Sequence, residues 1–202
     1  HAELSEGSVK CPLFQTSTFA FRSALEGKQF FEIAYGIRER RPDENVGLIY
    51  SRINNPNLEI LEQRLCVHDG AARSAVFSSG MAAIATTILA FVKPGDVIAY
   101  TDPLYGGSDH LMTKVLPSFG IQTVPLAADA ILPSMRDTLH EANRNGRLRM
   151  VLIESPANPT NVLVDIGGLA RLMSTIGDGD TRPKLVVDNT LLGPVWQQPL
   201  RH

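Results

Sequence analysis

The sequence predicts an α/β fold, in which an open, mostly parallel sheet carries helices on both faces and follows an extended N-terminal arm. Three observations predict it. From about residue 57 onward, short apolar and β-branched runs alternate with longer segments of helical periodicity. Glycine, proline and polar residues separate these segments. Residues 1–56 instead show scattered aromatic side chains and little periodicity, which indicates an arm rather than a folded unit.

The helical segments begin at Asn57, a residue that can cap a helix. Leu58, Leu61 and Leu65 then share one face, and Glu59 lies in the first turn, where a carboxylate is favoured. Further helices are predicted over 81–92, 108–116, 134–145 and 166–176.

Five short runs of apolar and β-branched residues predict strands. A turn at Pro94 and Gly95 precedes the second run, and the last one, KLVVD, ends in an aspartate. The predicted strands are 74–77, 97–100, 121–124, 149–154 and 184–188. Because helices separate the strands, we expect residues 57–202 to form one mostly parallel α/β domain.

Composition excludes several classes of protein. The chain has 202 residues, 44% apolar and 20% charged, and its net charge of −2 offers no basic face for nucleic acid. No apolar run is long enough for a membrane span. Cys11 and Cys66 form no disulfide framework, which favours a reducing cytoplasm. His68, His110 and His140 lack a second ligand at metal spacing, so no metal site is predicted.

Ligands of open α/β sheets bind beyond the carboxyl ends of the strands, so the residues after each strand matter most. These segments are polar, contain glycine and include one tyrosine, which suits a ligand with a phosphate, a ring and a charge. They are SSGM (78–81), TDPLYGG (101–107), ESPANPTN (154–161) and DNT (188–190).

The SSGM turn leads into the N-terminus of a helix, where free backbone N–H groups favour an anion. Gly80 would let a phosphate approach closely, although a serine-capped turn without a ligand explains the segment equally well. Neither GxGxxG nor GxxxxGK[ST] occurs, so one phosphate is favoured over a dinucleotide.

Three further residues have both a functional and a structural interpretation. Tyr105 could stack on a planar ligand or donate a proton, or pack as a loop aromatic. Asn158 could reach a ligand oxygen or form a turn. Asp188 ends an apolar strand and needs a cation or several donors. A protonated ring nitrogen of a cofactor would satisfy it, and so would nearby backbone N–H groups.

Five motifs occur in a fixed order, and the chain resembles the Cys/Met-metabolism (trans-sulfuration) family of pyridoxal-phosphate enzymes on account of them. They are YSR with NP (50–56), SSGMAAI (78–84), LYGG (104–107), ESPANPTN (154–161) and VVDNT (186–190). The phrase PLFQTSTFAF (12–21) is also similar to that family's arm. The family includes cystathionine γ-synthase, cystathionine γ- and β-lyases, methionine γ-lyase and O-acetylhomoserine sulfhydrylase. The resemblance covers essentially the whole chain and implies the large cofactor-binding domain of fold-type I, aminotransferase-like enzymes.

The resemblance implies pyridoxal 5'-phosphate as the cofactor and a role for each matching residue. Ser79, Gly80 and Met81 match the turn that binds the phosphate. Tyr50 and Arg52 match residues that reach the cofactor phosphate of a neighbouring subunit in a homodimer or homotetramer.

Around the cofactor ring, Tyr105 matches the tyrosine that stacks on the pyridine and is the candidate for assisting proton transfer. Asn158 matches the residue near the ring hydroxyl, and Asp188 matches the partner of the pyridine nitrogen. Thr190 and Glu154 match supporting positions.

The implied activity is γ-elimination or γ-replacement on a sulfur-containing amino acid, with O-acetylhomoserine sulfhydrylase or cystathionine β-lyase as alternatives. Methionine γ-lyases often carry cysteine two residues after the stacking tyrosine, where this chain has Gly107. That difference counts modestly against a specialised methionine γ-lyase.

The family's Schiff-base lysine lies in an S-x-T-K segment, and none of the five lysines of this chain lies in such a segment. The family's smaller C-terminal domain has no counterpart in the sequence either. We therefore expect the chain to be a piece of a longer protein. Taken alone, these residues could instead form a non-catalytic cofactor-binding or assembly module.

Overall fold

A computed structural model describes residues 8–42, 44, 47–144, 147–177 and 179–202. Residues 1–7, 43, 45 and 46 of the predicted arm, and Asn145 at the end of one predicted helix, lie outside this part. The described chain divides into two compact units. The first comprises the residues up to Val67 together with Ala71–Val76, and the second comprises His68–Gly70 and Phe77–His202.

The second unit contains the predicted sheet. All neighbouring strands run parallel, in the order β2-β1-β3-β4. Their bounds are β1 Val97–Asp102, β2 Gln122–Ala127, β3 Leu148–Glu154 and β4 Lys184–Asp188. Each of these four strands was predicted, with the last one matching at both ends.

Helices separate the strands as predicted, and three more lie before β1. A π-helical turn, Leu111–Val115, joins α4 to α5, so the predicted helix over 108–116 is longer and less regular than expected. The helices are α1 Ala24–Ala34, α2 Pro56–Asp69, α3 Gly80–Phe91, α4 Gly106–His110, α5 Leu116–Ser118, α6 Leu132–Ala142, α7 Ile166–Met173 and α8 Gly193–Trp196.

Side chains that alternate along the strands build a core on each face of the sheet. On one face, Ile98 and Leu152 pack in a cluster with Ile88 of α3. On the other face, Ala99 and Val151 belong to a cluster with buried residues of α6 and α7. The helices therefore lie on both faces of the sheet, as the sequence predicts.

The predicted strand over 74–77 is wrong, because the described residues there form no strand. In the first unit, the Val76 amide donates to the Glu62 carboxylate at 3.0 Å, and the Ser74 hydroxyl donates to the Glu62 carbonyl at 2.6 Å. An amide bonded to a side chain cannot donate to a neighbouring strand. The segment is therefore held by α2 rather than by a ladder.

The predicted arm is not extended throughout, because α1 occupies Ala24–Ala34. Ser23 caps this helix by accepting a hydrogen bond from the Glu26 amide at 3.1 Å, and Glu26 accepts one from the Arg22 amide. The Ser23 cap is a local helix-start signal, which the scattered aromatic residues obscured in the sequence. The function of the arm in subunit contacts stays a prediction.

An ion-pair cluster follows α1 in the first unit. The Arg38 guanidinium donates to Glu44 at 2.8 Å and to Glu32 at 3.1 Å. The hydrogen bond from Arg38 is the main cause that lowers the pKa of Glu44 to about 2. The cluster ties the segment after α1 back to the helix.

Within the described residues, no helix is both long and apolar enough to cross a membrane.

Replacing Leu148 by alanine should lower the free energy of unfolding by about 2–5 kcal/mol, because the side chain is fully buried at the start of β3. The matched control is Leu89→Ala, since Leu89 of α3 is 65% exposed and should change stability by no more than about 0.5 kcal/mol. Urea unfolding measures both. Equal losses for the two variants would contradict the position of the core.

Candidate functional site

The second unit has a cavity of about 310 Å³ where the carboxyl ends of β3 and β4 meet the N-terminus of α3. Because the strands are parallel, the loops that follow them leave the sheet at one edge. The residues around the cavity are Ser79, Gly80, Met81, Ile84, Tyr105, Glu154, Asn158, Asp188, Thr190 and Leu191. Seven of the nine residues predicted to bind a cofactor are among them.

The N-terminus of α3 forms one side of the cavity. The Ser79 hydroxyl caps the helix by accepting from the Ala82 amide at 3.1 Å, so the serine-capped turn considered from the sequence is present. In the described part of the chain, the backbone amides of Gly80 and Met81 donate to no acceptor. A Cβ on Gly80 would meet no atom within 4 Å, so the missing side chain leaves open space beside these donors. This arrangement suits a phosphate.

Tyr105 lies directly before α4 and is 47% exposed. Gly107 controls how much room the ring has. A Cβ on Gly107 would lie 2.8 Å from Tyr105 Cε1 and 3.0 Å from Met81 Sδ. Since real Cβ atoms avoid such distances, a side chain at residue 107 would force the Tyr105 ring or the Met81 side chain to shift.

Asp188 ends β4 and is paired in register with Glu154. Its Oδ1 accepts hydrogen bonds from the Thr190 amide at 3.0 Å and from the Thr190 hydroxyl. The capping contact considered from the sequence therefore exists, through the Thr190 amide. Among the described residues, nothing donates to the second oxygen, Oδ2. Asp188 thus keeps one acceptor for a ligand.

Glu154 is buried at the end of β3, and both of its carboxylate oxygens are occupied. Oε2 accepts from the Tyr105 amide at 2.6 Å, and Oε1 accepts from the Asn158 amide at 2.9 Å. The sequence suggested only a supporting position for this residue.

Ile84 and Leu191 also line the cavity, and the sequence missed them because an apolar lining residue has the same pattern as a core residue.

The lining of the cavity contains two carboxylates and no lysine, arginine or histidine. Backbone amides compensate Glu154, so Asp188 is the group that attracts a cation. No described cluster of three or more His, Cys, Asp or Glu side chains could hold a metal ion. The site suits a ligand with an anion at α3 and a positive ring nitrogen at Asp188.

Tyr50 and Arg52 lie in the first unit and are exposed. The Arg52 guanidinium lies 5.7 Å from the centroid of the Tyr50 ring, a cation–π contact. Their segment is anchored within that unit. Tyr50 forms an isolated antiparallel β-bridge with Thr18, and the Ser51 amide donates to the Ser17 carbonyl at 2.8 Å. In the described chain, no carboxylate pairs with Arg52, whose guanidinium is available for an anion.

Helix amides and an acid at the carboxyl edge of a parallel sheet define an α/β protein with a small-ligand site. The chain belongs to the Cys/Met metabolism PLP-dependent enzymes, whose family model matches residues 1–202. This match confirms the resemblance found in the sequence, and pyridoxal phosphate (PLP) is the cofactor of the family.

Curated relatives carry different activities. The chain is 32% identical to L-methionine gamma-lyase from Fusobacterium nucleatum subsp. polymorphum, over 96% of this chain and 44% of the relative. It is 32% identical to sulfhydrylase FUB7 from Fusarium oxysporum, over 96% of this chain and 40% of the relative. It is 34% identical to cystathionine gamma-lyase from Homo sapiens, over 81% of this chain and 38% of the relative. The chain therefore spans less than half the length of these relatives.

Two solved structures share the fold. A Campylobacter jejuni protein described as an O-acetylhomoserine (thiol)-lyase has a TM-score of 0.81 at 26% identity, over 98% of this chain and 44% of that chain. Its crystal structure carries N'-pyridoxyl-lysine-5'-monophosphate. The metB protein from Corynebacterium glutamicum has a TM-score of 0.76 at 29% identity, over 96% of this chain and 43% of that chain. The predicted fold class is confirmed.

Replacing Gly107 by alanine should weaken PLP binding by up to about tenfold, because the new Cβ would displace the Tyr105 ring from its position. Gly106→Ala is the matched control, since a Cβ on Gly106 would meet no atom within 4 Å. Titration with PLP, followed by visible absorbance, measures both affinities. Equal affinities of the two variants would contradict the steric restriction at residue 107.

Proposed function

We propose that this chain forms the cofactor-binding part of a PLP-dependent enzyme that carries out γ-elimination or γ-replacement on a sulfur-containing amino acid. The observation that carries the proposal is one cavity that combines free helix amides with a half-satisfied aspartate. Those are the donors and the acceptor that the phosphate and the ring nitrogen of PLP require. Family membership supports the same reaction class.

Each site residue has a role in this proposal. The amides of Gly80 and Met81 and the Ser79 hydroxyl hold the phosphate, and Gly80 leaves room for it. Asp188 holds the pyridine nitrogen in its protonated form, while Thr190 fixes the orientation of the carboxylate. Asn158 is the residue near the ring hydroxyl.

Tyr105 is the proposed catalytic residue of this chain. Its ring stacks on the pyridine, and its phenol holds or moves a proton at the departing or entering sulfur. Bound PLP supplies the electron-withdrawing ring that makes the amino acid's Cα proton acidic. The proposal also includes a lysine from the rest of the protein, in an S-x-T-K segment.

The substrate class is sulfur-containing amino acids, as the family indicates. Within it, elimination and replacement are both represented among the relatives, which include lyases and a sulfhydrylase. O-acetylhomoserine sulfhydrylase activity is the second candidate, and the similarity to the Campylobacter jejuni protein favours it. Gly107 in place of cysteine favours cystathionine-type or replacement activity over a specialised methionine γ-lyase.

The proposal extends to a homodimer, or a tetramer of two dimers, in which Tyr50 and Arg52 reach the neighbouring subunit's cofactor phosphate. The guanidinium of Arg52, which pairs with no carboxylate in the described chain, supports this role because it offers parallel donors to a phosphate. A cytoplasmic location belongs to the same proposal. The free thiols of Cys11 and Cys66 support it, since reducing compartments keep cysteines unpaired.

Replacing Asp188 by asparagine tests the central contact. Asparagine can still accept from Thr190, but it has no charge to keep a ring nitrogen protonated. We expect kcat for sulfur amino-acid turnover to fall by about a hundredfold or more, while the cofactor stays bound. Steady-state kinetics and the visible spectrum measure the two quantities.

The control is Asp129→Asn, which makes the same charge change at an exposed position and should leave turnover at the wild-type level. Unchanged turnover of the Asp188 variant would remove this residue from the role of counter-charge. A wild-type protein that binds no PLP would refute the proposed function as a whole.

Mixing two inactive variants tests the shared site. If Arg52 serves the neighbouring subunit, a hybrid of Arg52→Ala and Asp188→Asn subunits contains one site with both residues intact. After unfolding and refolding an equimolar mixture, about a quarter of the wild-type activity should return, because half of the dimers are hybrids.

If Arg52 instead serves its own subunit, every site in the mixture carries one defect, and activity stays at the level of the separate variants. The control mixes wild type with Asp188→Asn under the same conditions, which shows how much activity survives refolding. Recovery in the control without recovery in the hybrid would contradict the proposed contact.

A further inference from the structure

The strongest unexplained feature of the second unit is the carboxylate of Glu154. Glu154 is 5% exposed and lies at the carboxyl end of β3. In the described part of the chain, neither lysine nor arginine pairs with it. A buried carboxylate without a cation requires several hydrogen-bond donors, and here two backbone amides supply them.

The two amides belong to loops after different strands. Tyr105 follows β1 and lies 49 residues from Glu154 in sequence, whereas Asn158 follows β3 itself. One carboxylate oxygen serves each loop. The Glu154 backbone is also fixed from β1, because its amide donates to the buried Thr101 hydroxyl at 3.1 Å. Hydrogen bonds to a charged acceptor are stronger than those to a neutral one.

We propose that Glu154 is a positioning residue that fixes the distance between the Tyr105 ring and the Asn158 side chain. Both residues contact the cofactor in the proposed function, on which this inference rests. Glu154 acts through their backbones and does not need to touch the ligand itself. A ring that stacks and an amide that reaches a ring oxygen must keep a fixed separation, and a carboxylate with two equivalent acceptors maintains it.

Glutamine is the informative substitution. Glu154→Gln has the same shape, but it replaces one acceptor by an NH₂ group that faces a backbone N–H donor. One of the two loops therefore loses its anchor. Glu141→Gln is the matched control, because the Glu141 side chain is 73% exposed on α6.

Hydrogen–deuterium exchange measures the anchoring directly and without cofactor. In Glu154→Gln we expect the amide of Tyr105 or Asn158 to exchange about tenfold faster than in the wild type. The amide of Leu152, within β3, should not change. Wild-type exchange at both loop amides would overturn the inference.

Cofactor binding separates positioning from plain stabilisation. Thr101→Val removes the buried hydrogen bond to the Glu154 backbone and leaves the carboxylate in place, so it lowers Tm without altering the loops. We expect Glu154→Gln to weaken PLP binding by about tenfold and to change the visible circular dichroism per bound cofactor. The Thr101 variant should keep the wild-type spectrum.

The outcomes distinguish the two claims. If Glu154→Gln loses no more affinity and circular dichroism than Thr101→Val at a comparable Tm, Glu154 has only a structural role and the inference is overturned. If the wild type binds PLP and Glu154→Gln is indistinguishable from it, the inference alone is wrong. A wild type without affinity for PLP refutes the proposed function instead.

Discussion

The candidate site depends on the parallel pairing of β1, β3 and β4. Parallel strands place all of their carboxyl ends at one edge of the sheet, so the loops that follow them converge. The register sets the detail, since it pairs Glu154 with Asp188 and brings two acids to the same edge. A strand in the opposite direction would carry its loop to the other edge. The site therefore follows from the topology before any particular side chain is considered.

The two paired acids differ because their surroundings differ. Both oxygens of Glu154 accept backbone amides, which compensates its charge within the protein. The Asp188 carboxylate accepts only from Thr190 in the described chain, and one of its oxygens stays available. A compensated acid organises loops, and a half-compensated acid attracts a cation. Two carboxylates at adjacent strand ends can thus perform two separate tasks in one site.

Local patterns predicted most of this arrangement, and long-range contacts account for what they missed. Apolar runs located all four strands, and the position of a residue after a strand identified Tyr105, Asn158 and Asp188 as candidates. The segment at 74–77 had the composition of a strand, but composition does not show that Glu62 binds the Val76 amide. The bond between Glu154 and Tyr105 spans 49 residues and has no local signal. By contrast, α1 had a usable local signal in its Ser23 cap.

Relatives with different activities match this part of the chain, and we propose that the lining of the cavity is the reason. It has donors for a phosphate, an acceptor for a ring nitrogen and a face for a ring, and it contains no cationic side chain. A substrate carboxylate needs a cation, so the groups that hold the amino acid must come from outside this lining. Lyases and a sulfhydrylase match the same part at 32–34% identity. In the proposed function this lining holds the cofactor, and the choice between elimination and replacement lies with the residues that face the substrate.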